Sequence, residues 1–153
     1  MNGHSLLRTS RRKAQFGLTP IALSLLLAHG SAQALPTGGT VVAGGANITQ
    51  PDSQRLAIQQ TSPRAIINWG DFSIAANESV AFTQPGRDSV TLNRVTSANP
   101  SSIYGQLSAN GRVYLINPNG ILFGQGASAN VGSLVASTRN IDNNDFMAGR
   151  DVF

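Results

Sequence analysis

Short apolar runs separated by turn residues make up the chain from about residue 35 onward. Thr40-Val41-Val42-Ala43 precedes Gly44-Gly45, and Leu56-Ala57-Ile58 follows Pro51-Asp52. Ala65-Ile66-Ile67-Asn68-Trp69 runs into Gly70-Asp71, and Phe72-Ser73-Ile74 comes next. Val80-Ala81-Phe82 stands before Pro85-Gly86, Val90-Thr91-Leu92 before Asn93, and Ile103-Tyr104 before Gly105. Val113-Tyr114-Leu115-Ile116 and Ile121-Leu122-Phe123 flank Asn117-Pro118-Asn119-Gly120. Runs this short, rich in β-branched and aromatic residues and bounded by Gly, Pro, Asn and Asp, predict strands and an all-β fold. No segment carries a capped helical stripe.

Asn117-Pro118-Asn119-Gly120 has the strongest turn chemistry in the chain. Asn at the first position, Pro at the second and Gly at the fourth suit a type I turn. Asn110-Gly111 predicts a second tight turn of type I′. Sandwich, barrel and β-helix all satisfy the pattern. Asn- and Gly-rich corners, with the small residues Ala127, Ser128, Ala129, Gly132 and Ser133 between strands, favour the β-helix, whose tight corners need left-handed backbone. Trp69, Phe72, Phe82, Leu115 and Phe123 lie in apolar runs and are expected as core anchors.

The first residues differ in kind. Arg8, Arg11, Arg12 and Lys13 precede an apolar stretch from Phe16 to Ala28, and Ala32-Gln33-Ala34 is a small-x-small cleavage pattern. Residues 1–34 therefore read as a Sec-type signal peptide cut at Ala32/Ala34, too short in its apolar run for a comfortable membrane span. This changes the charge. The chain holds 11 Lys+Arg and 7 Asp+Glu, but four of the basic residues are in the leader, so residues 35–153 are neutral. No basic patch remains to argue for nucleic acid.

Candidate chemistry thins in the same way. His4, His29 and Lys13 all lie in the leader, and the chain has no cysteine. Residues 35–153 thus offer no His base, thiol nucleophile, Schiff-base lysine or His/Cys metal set, and no cofactor is expected. Glu78 is the only glutamate, and the aspartates are scattered rather than paired as glycoside hydrolysis requires. Asp142-Asn143-Asn144-Asp145 lacks the Gly and distal Glu of a calcium loop and is expected as a solvated turn. Arg94 and Arg112 either face solvent or contact a partner.

The ordered motifs go further. They begin with Ile66-Ile67-Asn68-Trp69-x-x-Phe72-x-Ile74, Val80-x-Phe82-x-Gln84-Pro85 and Leu92-Asn93-Arg94-Val95. Ser102-Ile103-x-Gly105-x-Leu107, Asn110-Gly111-x-Val113 and Leu115 through Ile121 follow, and Gly132-x-Leu134-x-Ala136-Ser137-Thr138 and Asp145-Phe146 end the series. From about Leu35 to Phe153 this closely resembles the N-terminal secretion (TPS) domain of filamentous haemagglutinin-like exoproteins, the cargo of two-partner secretion in Gram-negative bacteria.

The resemblance implies a right-handed parallel β-helix with an N-terminal cap. It implies that the POTRA domains of an outer-membrane barrel transporter recognise the domain, after Sec export, and that the exoprotein is then secreted or displayed at the outer-membrane surface as an adhesin. The family's secretion motif falls on Asn117, Pro118, Asn119, Gly120 and Ile121, and Asn99-Pro100-Ser101-Ser102 is a loose echo of a second motif. The resemblance also implies a longer chain, so residues 35–153 are expected to be a secretion domain truncated at its C-terminal end, with host-receptor or glycan binding lodged in the missing part. The domain itself is expected not to be an enzyme. A β-helix enzyme acting on polysaccharide and a small glycan-binding adhesin are the competing readings.

Overall fold

Alternation of side chains along a strand decides which of its residues are buried, and the chain uses two versions of it. Arg55–Gln60 and Ser79–Thr83 alternate exposed and buried positions, as expected for strands with one wet face. Arg64–Trp69, Val90–Val95 and Arg112–Ile116 are buried almost throughout, as expected for strands covered on both faces.

In the computed structural model, which describes residues 34–153, these strands wind into a parallel β-solenoid of about four turns. The first coil contains β3 (Arg55–Gln60) and β4 (Arg64–Trp69), and the second β5 (Ser79–Thr83), β6 (Val90–Val95) and β7 (Ser101–Ile103). The third contains β8 (Gln106–Ala109), β9 (Arg112–Ile116) and β10 (Ile121–Phe123), and the fourth β11 (Ser128–Asn130) and β12 (Ser133–Ser137). Before them, β1 (Thr40–Ala43) and β2 (Ala46–Asp52) pair antiparallel with β4 and β3 and cap the first coil. The two five-stranded sheets run β1-β4-β6-β9-β12 and β11-β8-β5-β3-β2, and β10 and β7 form a two-stranded third. The all-β, parallel β-helix expectation is borne out.

Equivalent positions stack between coils. Arg55, Ser79, Gln106 and Ser128 form one register column, and Ile66, Leu92, Tyr114 and Val135 another. The interior is filled by Ile58, Ile67, Trp69, Phe72, Phe82 and Leu115 among others. Trp69 and Phe72 meet edge to face at 5.6 Å, and the indole N–H donates to Asn93 Oδ1 at 3.0 Å. That bond satisfies a polar atom which would otherwise be costly to bury.

Phe72-Ser73-Ile74 is not a strand. It turns a corner, held by isolated bridges at Asp71 and Ile74, and drops Phe72 and Ile74 into the core. Asn110-Gly111 is not a hairpin turn either. β8 and β9 belong to different sheets, and Gly111 lacks the positive φ that type I′ requires. Instead Asn110 brackets the backbone of Gln84 one coil back, accepting from its N–H at 2.6 Å and donating to its carbonyl at 2.8 Å.

The outer face of β4, β6 and β9 is apolar, and the C-terminal segment covers it. Thr138–Phe153 crosses this face as a strap carrying a short helix, α1 (Asn143–Met147). Ile141 and Phe146 bury themselves against Ile66, Leu92 and Tyr114. Arg94 donates to Asn140 Oδ1, Asn143 Oδ1 and the Ile141 carbonyl, each at 2.8 Å, so it clamps the strap. Asp151 accepts from Arg64 and from the Tyr114 hydroxyl. The expected solvated turn at Asp142–Asp145 is a helix start. Asp142 is the N-cap, accepting from the N–H groups of Asn144 and Asp145 at 2.8 and 3.1 Å. Five residues are too few to show a helical stripe in the sequence.

Candidate functional site at the Asn117 corner and its edge strand

β9 enters the Asn117–Gly120 turn in one sheet and β10 leaves it in another, so the turn is a solenoid corner. The Gly120 N–H donates to the Asn117 carbonyl at 3.1 Å, closing the turn, and Gly120 takes φ +107°, open to glycine and strained for other residues. Asn117 Oδ1 accepts from the Asn119 N–H at 2.9 Å, an Asx turn laid inside the backbone turn.

Asn117 is 0% exposed. Its Nδ2 donates to the Asn99 carbonyl at 2.9 Å and to Ser101 Oγ at 3.0 Å, both on the preceding coil. Its backbone N–H donates to the Ser137 carbonyl on the following coil at 3.0 Å. Asn119 lies at the surface, yet its Nδ2 reaches the Ser97 carbonyl at 2.9 Å. The tie continues to the first coil, where Asp71 Oδ1 accepts from Ser97 Oγ and Asn99 Nδ2, each at 2.9 Å. Successive corners are thus bolted together by a polar column from Asp71 through Ser97 and Asn99 to Asn117 and Asn119. Sequence reasoning missed Asp71 and Ser97. The one available signal was the recurrence of small polar and Asn residues at the end of each long strand.

Beyond the turn the chemistry reverses. β10 pairs with β7 on one side, in register Ile121 to Ser101, Leu122 to Ser102 and Phe123 to Ile103, and among the described residues its other edge carries no strand. After β12 the chain turns aside into the strap instead of laying another strand there. Leu122 is 51% exposed, Phe123 39% and Tyr104 41%. Phe123 is therefore not a core anchor as expected; among the described residues it sits on an edge strand, 39% exposed. Ile121 points the other way, half-buried against the core. The Tyr104 ring lies on the Gly124 backbone, where an added Cβ would stand 2.0 Å from the ring.

Other candidate groups are structural ties. Glu78 is buried and accepts from the N–H groups of Ala34 at 2.9 Å and Ala75 at 2.8 Å. Each of its oxygens is thus held by a backbone N–H. Arg112 Nη2 donates to the Asp88 carbonyl at 2.8 Å. Among the described residues no group of three or more His, Cys, Asp or Glu could hold a metal ion. Of the leader expected over residues 1–34, residues 1–33, with the cleavage residue Ala32, lie outside the described residues, which begin at the second cleavage residue, Ala34.

A capped parallel solenoid with corners tied by asparagines, and with one apolar edge left open among the described residues, is the architecture of a solenoid secretion domain. Residues 32–153 match the TPS secretion domain family, and the chain belongs to it. It is the secretion domain of a two-partner-secretion exoprotein, a class secreted through a partner outer-membrane transporter. It is 45% identical over 114 residues to a heme/hemopexin-binding protein of Haemophilus influenzae (strain Rd), and 39% identical over 115 residues to another protein of that name from the same species. These alignments take 74% and 75% of this chain but 12% of each relative, so the chain spans about an eighth of their length. The crystal structure of the HMW1 secretion domain from Haemophilus influenzae is 42% identical, with a TM-score of 0.70, over 74% of this chain and 30% of that one.

Proposed function

We propose that the domain is the address label of its exoprotein, read by the periplasmic POTRA domains of the partner transporter, and that the reading surface is the open edge of β10 with Leu122, Phe123 and Tyr104. The Asn117 corner holds that edge in place. The observation carrying this reading is the division of roles at the motif. Asn117 is wholly buried and hydrogen-bonded within the chain, so it has nothing to offer a partner. The neighbouring strand offers both exposed apolar side chains and unpaired backbone groups. An edge strand of this kind recruits an extended partner strand, with backbone hydrogen bonds for affinity and side chains for selectivity.

On this reading residues 1–34 are a signal peptide, the protein reaches the periplasm through Sec, and secretion or surface display follows. Adhesion or ligand capture belongs to the rest of the exoprotein, and the domain itself has no catalytic role. The experiment is binding of the folded chain to an isolated POTRA module. Replacing Leu122 and Phe123 with Ser is expected to weaken binding about tenfold or more, the usual effect of removing central apolar anchors, while the melting curve stays near native. Unchanged binding by that variant would refute the edge as the reading surface.

A further inference from the structure

Among the described residues there are two Asn-Gly steps, Asn110-Gly111 and Asn119-Gly120, each with its asparagine exposed, and the fold treats them differently. In such a step the backbone nitrogen of the glycine can attack the asparagine Cγ. A C–N bond forms, the Cγ–Nδ2 bond breaks and ammonia leaves. Water then opens the five-membered imide at either carbonyl, giving Asp or its β-linked isomer. The net reaction consumes one water and releases one ammonia, with no redox change. Glycine favours it because no side chain crowds the attacking nitrogen.

Both amides are held in the folded state. Asn110 is bonded to the Gln84 N–H and carbonyl. Gly111 is also packed in, since an added Cβ would stand 2.6 Å from Gln84 Oε1 and 2.7 Å from the Ser89 carbonyl. The ring has no room there unless the coil opens. At Gly120 an added Cβ would meet nothing within 4 Å. Hydrogen bonds alone stand in the way: the Asn117–Gly120 turn bond, the Ser101 N–H to the Gly120 carbonyl at 3.0 Å, the Asn119 N–H to Asn117 Oδ1 at 2.9 Å, and the Asn119 Nδ2 bonds at 2.9 Å to the Ser97 carbonyl and 3.2 Å to Asn117 Oδ1.

We infer that Asn119 is a spontaneous deamidation site, shielded only by the corner hydrogen bonds, and that its conversion unbolts the corner. The product replaces the Nδ2 donor with a carboxylate oxygen facing the Ser97 carbonyl and Asn117 Oδ1, so the Ser97 carbonyl loses its donor and Asn117 Oδ1 keeps only the Asn119 N–H while facing a like charge. The β-linked isomer also lengthens the backbone inside the turn. A chain that waits unfolded therefore accumulates a lesion at the motif, and a chain that folds promptly is protected.

The test ages the full chain at mildly alkaline pH, folded and in urea, then digests it with trypsin. Cleavage after Arg112 puts Asn110 and Asn119 in different peptides, and fragment masses locate each conversion. In urea the two sites should convert at comparable rates. In the folded chain Asn119 should be slowed about tenfold or more, because it reacts only through local opening, and Asn110 should be slower still. Equal rates at the two sites in the folded chain, or no acceleration of Asn119 in urea, would overturn the inference. Aged protein and the Asn119→Asp variant should both melt below fresh protein, the aged protein lower because it also holds the β-linked isomer, with Asn119→Gln as the variant whose longer side chain resists imide formation. Aged protein that melts like fresh protein would overturn the unbolting step.

Discussion

Asn117 and Leu122 are five positions apart and belong to opposite kinds of surface. The first is buried, and its side chain bonds to Asn99, Ser101 and Asn119. The second projects from an edge strand with nothing laid against it. A motif that reads as one unit in the sequence is thus two devices in the structure. One fixes how consecutive coils stack, and the other is held outward by that stacking. Loss of secretion on mutating either would look the same from outside the cell, although the causes differ.

The comparison breaks most visibly at Asn117. Asn117→Ala leaves the buried Ser101 Oγ without its donor and frees the Asn99 carbonyl and the Asn119 N–H at the surface, and should cost about 1–3 kcal/mol for the buried group plus about 0.5–1.5 kcal/mol for each lost surface bond. Urea titration followed by circular dichroism measures it, with a lowered midpoint and an unchanged slope as the expected result. Asn119→Ala removes two bonds of one surface amide, to the Ser97 carbonyl and to Asn117 Oδ1, and should cost only about 0.5–1.5 kcal/mol in the same titration. A larger loss at Asn119 than at Asn117 would reverse the assignment of the buried residue as the bolt.

Much of this was legible in the chain, for physical reasons that differ by region. The runs at Ala65–Trp69 and Val113–Ile116 announced strands because both of their faces are covered. The turn at Asn117 was legible because Pro and Gly restrict or permit backbone angles locally, whatever surrounds them. The exposure of Phe123 was not, since a strand's sequence is silent on whether another strand lies beside it. β11, with the sequence Ser-Ala-Asn, has almost no apolar content and is a strand only because β8 templates it. The coil length was illegible because the register columns step by unequal intervals, with loops of different size at each corner. The polar column through Asp71 and Ser97 depends on that stacking and was hidden with it.

Smaller effects sharpen the contrast. Gly124→Ala forces the Tyr104 ring off its seat, but the ring is already part-exposed and can swing outward. Its stability change should stay within about 0.5 kcal/mol, while binding through the edge weakens measurably. The far end of the strap, at Asp151, supplies a control that bonds to neither device. Burial, then the hydrogen bond with Asp151, raises the Tyr114 phenol above its ordinary value. The neutral phenol is the form the fold favours. Its stabilising contribution is therefore complete below the unfolded-state value, near 10, and is lost as pH rises through the higher folded one. Tyr114→Phe should remove that alkaline component of the melting profile and leave transporter binding at neutral pH unchanged.

The most direct measurement compares Asn117→Ala with the Leu122→Ser/Phe123→Ser variant in one experiment, each titrated against the isolated POTRA module at a temperature where its circular dichroism shows it folded. The double variant should melt like the parent and bind about tenfold or more weakly. Asn117→Ala, while folded, should melt lower and keep most of its affinity. A native affinity for the edge variant, with affinity lost in folded Asn117→Ala, would contradict the account and place the reading surface at the asparagine corner itself.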